Sequence, residues 1–174
     1  MKGPTEPMEP TALAPAPLDR AAGHALLDEL AGPQTTAATL QGLDALAPGF
    51  ADWIVTALFG GTYQRPGLSL RDRQVANLAA LTALGGVEPQ LADHVRNSLR
   101  IGLTREEVTE VLVHLAPYAG VPKALAGLRV AAGVFAAADE QVAADRVAAE
   151  QAAAGEATAT PATATPATDG EAAA

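Results

Sequence analysis

The chain has 174 residues, no cysteine, and 20 acidic against 11 basic residues, for a formal net charge of −9. That length suits one domain with tails, and the missing sulfur excludes disulfides, thiolate metal ligation and thiol-based peroxidase chemistry. The charge is unevenly placed: residues 41–135 hold eight acids and eight bases, so the excess lies in flanks that favour solubility and disfavour nucleic acid.

Residues 1–17 carry five prolines without periodicity and read as a disordered leader. They lack a basic stretch followed by an apolar run, so no secretory signal is expected. No unbroken run of about 18 apolar residues occurs, so no membrane span is expected and the cytoplasm is the default location. A first helix is predicted over 18–31, with Leu26, Leu27 and Leu30 at helical spacing and Gly32-Pro33 as its stop. A second covers 48–59. There Phe50, Trp53, Ile54, Ala57 and Leu58 follow i, i+3, i+4, i+7, i+8 before Gly60-Gly61.

Ser69-Leu70-Arg71-Asp72 is like a capping box, with Asp in place of Glu or Gln, and opens a helix running to Leu84 and Gly85-Gly86. Pro89 suits the first turn of the next helix, which Gly102 closes. Thr104-Arg105-Glu106-Glu107 is a full capping box, and Val108, Val111, Leu112 and Leu115 mark the buried face behind it. Pro117 to Gly120 interrupts the pattern. Pro122 reopens a helix with Leu125, Leu128, Ala132 and Phe135 on one side. The helical domain is thus expected over 18–137. Residues 138–154 carry only the thin stripe Val142 and Val147 and read as a frayed helical extension. Residues 155–174 are an Ala/Thr/Pro tail that cannot bury enough surface to order itself. No alternating run persists, so the fold class is all-α. A core this small, with broad Ala/Val/Leu faces, predicts self-association.

His94 leads the candidates for chemistry. Leu91, Val95 and Leu99 define the inner face of its helix, which leaves His94 at the edge, shielded but reachable. Imidazole exchanges protons near neutrality without a large shift. A half-buried histidine bonded to a carbonyl or to Asp93 fits the same position. His114 borders the Val111/Leu115 stripe and reads as a core or carbonyl-bonded histidine, and His24 as incidental. The three share no i, i+4 spacing, so no metal site is expected. Arg73, Arg129 and, less so, Arg96 could hold a carboxylate through a bidentate guanidinium; each also fits a snorkelling surface arginine. Trp53 and Tyr118 could line an apolar wall, although Trp53 on a periodic face equally reads as core.

The order and spacing of these features resemble the carboxymuconolactone decarboxylase family. The most specific segments are Tyr63 to Leu70 (YQRPGLSL), Gly102 to Val108 (GLTREEV) and Tyr118 to Pro122 (YAGVP). The resemblance covers roughly residues 40–136. It implies an alkylhydroperoxidase D-like helical fold and obligate oligomers, commonly trimers or trimers of dimers. It also matches His94 to the family's helix histidine. The thiol branch of the family carries a Cys-x-x-Cys pair where this chain has Val87 and Gln90, and a glutamate relay roughly where it has Gln74. Both departures point to the cysteine-free decarboxylase branch, and peroxidase activity is disfavoured.

For that branch the implied reaction is loss of CO₂ from 4-carboxymuconolactone to give 3-oxoadipate enol-lactone, a step of aromatic catabolism. The departing carboxylate is vinylogous to the lactone carbonyl, so the substrate is its own electron sink and no cofactor is required. His94 would supply a proton, with Arg73 and Arg129 on the carboxylates. The implied partners are a small anionic lactone and further copies of the chain (homotrimer or homohexamer). A non-redox relative acting on another lactone or a polyketide-like acid is the first alternative, and a non-catalytic helical oligomer the second.

Overall fold

The computed structural model describes residues 15–158, with side chains to 153. All regular structure among these residues is helical. The order is α1 (Arg20–Ala31), α2 (Pro33–Leu46), α3 (Phe50–Trp53), a π-helical turn (Ile54–Phe59), a 3₁₀ turn (Thr62–Gln64), α4 (Leu70–Leu84), α5 (Glu88–Arg100), α6 (Arg105–His114), α7 (Ala116–Ala119) and α8 (Val121–Thr158). The expected leader lies mostly outside the described residues, as does the Ala/Thr/Pro tail past Thr158. The chain divides into two compact units at Val134.

Local chemistry sets most boundaries. Asp19 caps α1 by accepting from Ala22 N at 3.0 Å. Pro33 at the first turn starts α2, a helix that periodicity did not reveal because its only buried residue is Thr36. Ser69 caps α4, but Asp72 does not complete a reciprocal box; its carboxylate accepts from Ser69 Oγ at 2.7 Å. Thr104 and Glu107 do complete one on α6, at 3.1 and 2.9 Å. Glu107 also pairs with Arg71, which ties the start of α6 to α4. The Thr104 backbone N–H and Arg71 together hold its carboxyl below the ordinary glutamate value.

Two buried faces differ from those the spacing predicts. Over residues 50–59 the buried positions are Ala51 and Val55, while Phe50 and Trp53 stack on each other in solvent, with Trp53 59% exposed. Two local facts explain this. The chain widens from α to π winding at Ile54, which shifts the phase of the stripe. The contact with α1 is also very close: a Cβ on Gly23 would lie 2.2 Å from the Val55 carbonyl oxygen, so only the small face fits there. The second case is α8, where Ala124, Gly127, Ala131 and Val134 face inward and Leu125 outward. Gly127 sets that face, because a Cβ there would meet Thr82 at 2.9 Å and Leu112 at 3.2 Å. Lys123 Nζ donates to the Ala83 carbonyl at the end of α4 and fastens the start of α8.

Through Val134, α8 is a core helix of the first unit. The second unit contains the rest of that helix among the described residues, with almost every side chain exposed through Ala153. By length and composition Val121–Ala153 is long and apolar enough to cross a membrane: an 18-residue stretch within it has a mean hydropathy of 1.4, with 22% of that stretch buried. The expectation that no such segment exists counted unbroken apolar runs. An alanine-rich helix passes instead on its average.

Candidate active site

The inner stripe of α4 is Gln74, Leu78 and Thr82, spaced by one turn. Gln74 is 0% exposed, so a neutral amide sits where the pattern calls for an apolar side chain. A buried amide needs partners. Its oxygen lies 2.8 Å from His94 Nδ1, which projects from the edge of α5 between the buried Leu91 and Val95. An acceptor on Nδ1 fixes the proton there and leaves Nε2 with its lone pair open. Burial lowers the His94 pKa below the ordinary histidine value, and the Asp93 charge only partly opposes this. Burial thus favours the neutral ring. Ser98 Oγ donates to the His94 carbonyl at 2.7 Å and anchors that turn of α5.

A second group stands on the other side of this pair. Asn77, one turn past Gln74, donates through Nδ2 to the Tyr63 hydroxyl at 2.6 Å and lies 3.5 Å from His94 Nδ1. Tyr63 comes from the 3₁₀ turn. Gln64 holds that turn by donating to the Phe59 carbonyl at 2.9 Å. The Tyr63 ring stacks on Phe59, with centroids 5.0 Å apart, and the Arg73 guanidinium lies 5.7 Å from its centroid. Burial is the main influence on the phenol and raises its pKa; Asn77, Arg73 and Gln74 pull the other way. Arg73 donates to the Arg65 carbonyl at 2.7 Å, while its buried Nε has no partner. Gln74 Nε2 is likewise buried without a formed hydrogen bond, although it is near enough to favour the Tyr63 phenolate.

Of the residues singled out in the sequence, His94 and Arg73 therefore meet around Tyr63, Gln74 and Asn77. The others lie elsewhere or bind otherwise. Arg129 is exposed on α8, and Arg96 is exposed and paired with Asp93. Trp53 is in the exposed stack described above, and Tyr118, 76% exposed, packs against His114 at 5.2 Å. His114 is itself exposed rather than in the core. It lines a concavity of about 450 Å³ with Val75, Ala79, Glu110, Val111 and Leu115. A cleft of about 30 Å³ lies among Thr82, Val87, Leu91, Lys123 and Gly127. His94 borders neither. No cluster of three potential metal ligands occurs among the described residues.

Sequence reasoning missed Tyr63 and Asn77, and saw in Gln74 only the loss of a glutamate. One signal was available. Gln74 falls in phase with Leu78, and a polar residue in a buried phase asks for a partner.

The assembly defines an all-α, alkylhydroperoxidase D-like domain whose polar site is built from imidazole, amide, phenol and guanidinium groups without a thiol. Residues 48–133 match the carboxymuconolactone decarboxylase family, and the chain belongs to that family. It is 32% identical over 107 residues to the 4-carboxymuconolactone decarboxylase of Acinetobacter baylyi, covering 62% of this chain and 79% of that protein. It is 30% identical over 103 residues to an uncharacterized 15.0 kDa protein in the nqo9-nqo10 intergenic region of Paracoccus denitrificans, covering 59% and 77% respectively. Family and relative together support a decarboxylase-like role.

Proposed function

We propose that this chain is a cofactor-free carboxy-lyase acting on 4-carboxymuconolactone or a close lactone acid, with His94 as the proton donor. The observation that carries this reading is the 2.8 Å contact between His94 Nδ1 and Gln74 Oε1. It orients a neutral imidazole with Nε2 unengaged by that partner, beside a guanidinium-bearing turn. The name of the Acinetobacter relative supplies the substrate class.

The steps follow from charge. The substrate arrives as an anion and adds negative charge beside His94, which favours the imidazolium and places a second proton on Nε2. Arg73, with its unpartnered Nε, holds one carboxylate, and Arg129, exposed on α8 outside this cluster, is given no step. The bond to the departing carboxylate breaks, CO₂ leaves, and its electron pair moves through the conjugated system onto the lactone carbonyl oxygen. His94 Nε2 then delivers its proton to the carbon next to that carbonyl. A lowered pKa makes the imidazolium a stronger acid and suits the donor role. Arg96, already paired with Asp93, takes no step, nor do Trp53 and Tyr118.

The working form is proposed to be a cytoplasmic homo-oligomer, a trimer or hexamer. Leu46 (86% exposed), the Phe50–Trp53 stack, Leu125 and Tyr118 leave large apolar side chains exposed on a single copy, which supports association. Light scattering on the full chain reads the subunit number directly.

The deciding experiment supplies purified full-length protein with 4-carboxymuconolactone, then with a panel of related lactone and polyketide-like acids, and measures CO₂. Release from one of them supports the reading. Silence across the panel removes it.

A further inference from the structure

The Tyr63 hydroxyl has one hydrogen-bond role filled and one open. It accepts from Asn77 Nδ2 at 2.6 Å. Asn77 can only donate through that nitrogen, so the phenolic proton is not spent on it. The ring cannot swing away, because Phe59 stacks on it and the Arg73 guanidinium lies over it. The same Asn77 nitrogen lies 3.5 Å from His94 Nδ1, so one amide stands between the phenol and the imidazole.

We propose that Tyr63 is a catalytic hydrogen-bond donor whose hydroxyl stabilises the oxyanion that forms on the lactone carbonyl, with Asn77 as the positioning residue that aims it. This assignment rests on the decarboxylase reading given above. When the carbon–carbon bond to CO₂ breaks, the electron pair ends on the carbonyl oxygen of the dienolate. That oxygen and the carbon that is later protonated are separated by two bonds. Two donors are therefore needed close together, one for oxygen and one for carbon. Tyr63 keeps its proton and lends it as a hydrogen bond; His94 transfers its own to carbon, and the carbonyl is restored. Burial of the phenol keeps it protonated at neutral pH, as a donor must be. A donor already aimed at the developing charge needs no reorganisation during the reaction.

The test is Tyr63→Phe in the full-length protein with 4-carboxymuconolactone. It keeps the ring and its stacking and removes only the hydroxyl. The expected result is a fall in kcat of about 100-fold, as for loss of one oxyanion donor, with KM little changed. The pH limb that reports His94 should stay in place, since a merely structural loss would move it. Asn77→Asp gives a second route, because a carboxylate accepts the phenolic proton and withdraws it from substrate; kcat should fall again. Wild-type kcat in Tyr63→Phe, or a loss carried wholly by KM or by a displaced pH limb, overturns the assignment. If Tyr63→Phe does not fold, an unchanged kcat in Asn77→Asp overturns it instead. A wild-type protein that releases no CO₂ from this substrate overturns the reading of the site and this role together.

Discussion

Gln74 reaches from the buried stripe of α4 to place its amide oxygen 2.8 Å from Nδ1 of His94 on α5. A carboxylate there would hold the ring as an imidazolium; a neutral amide orients it without charging it. Burial then lowers the ring's pKa below the ordinary histidine value, with the Asp93 charge opposing it in part.

His94→Ala removes the proposed donor. CO₂ release should lose about 10²–10⁴-fold in kcat, the ordinary range for a positioned acid or base. KM should change little, because the imidazole is not assigned to binding. Steady-state kinetics on both proteins check this.

The pH profile follows from the direction of the His94 shift. If the imidazolium does the work, kcat/KM should fall with rising pH through a limb below the ordinary histidine value of 6.5. The limb in kcat should lie higher, since bound anion stabilises the imidazolium. Stability runs the opposite way. A histidine whose folded pKa is depressed disfavours protonation of the folded state, so its contribution is present above 6.5 and is lost as pH falls through that value toward the folded pKa. Kinetic profiles read the first, and urea unfolding at several pH values the second.

Gln74→Glu should move the kcat/KM limb to higher pH, because an ionised carboxylate on Nδ1 favours the charged ring. Gln74→Leu should lower kcat and leave the protein folded, since leucine suits the buried phase of α4 that Gln74 shares with Leu78. A Gln74→Glu limb that stays in place would separate Gln74 from control of His94.

Thr104→Ala deletes one half of the α6 capping box, in which Thr104 Oγ1 accepts from Glu107 N at 3.1 Å. The expected cost is about 0.5–2 kcal/mol in urea unfolding. Glu107 adds an acid dependence of its own. Its depressed pKa means a contribution present above the ordinary value of 4.5 and lost as pH falls through the folded value.

Gly23→Ala would push a Cβ to 2.2 Å from the Val55 carbonyl oxygen and 2.8 Å from the Gly60 nitrogen. Both neighbours are backbone and cannot step aside. A loss of about 1–3 kcal/mol is expected from this overpacking, with α1 displaced from the π-helical turn. Calorimetry and hydrogen exchange over α1 would register it.

The sequence by itself determined the boundaries of α4, α5 and α6, because caps, prolines and terminal glycines act within a few residues, but it read the short α7 only as an interruption. It determined the absence of thiol chemistry outright, and it pointed to His94 through the phase of Leu91 and Val95. Tertiary structure alone decided which faces are buried where two backbones nearly touch: Gly23 against Val55, and Gly127 against Thr82 and Leu112. There, close approach selects the small side of the helix, and large apolar residues such as Trp53 and Leu125 are left facing out. It also decided that Tyr63, Gln74, Asn77 and His94 meet. They come from three separate segments, and a hydrogen bond between side chains is satisfied only when packing brings those segments together, which no local spacing encodes.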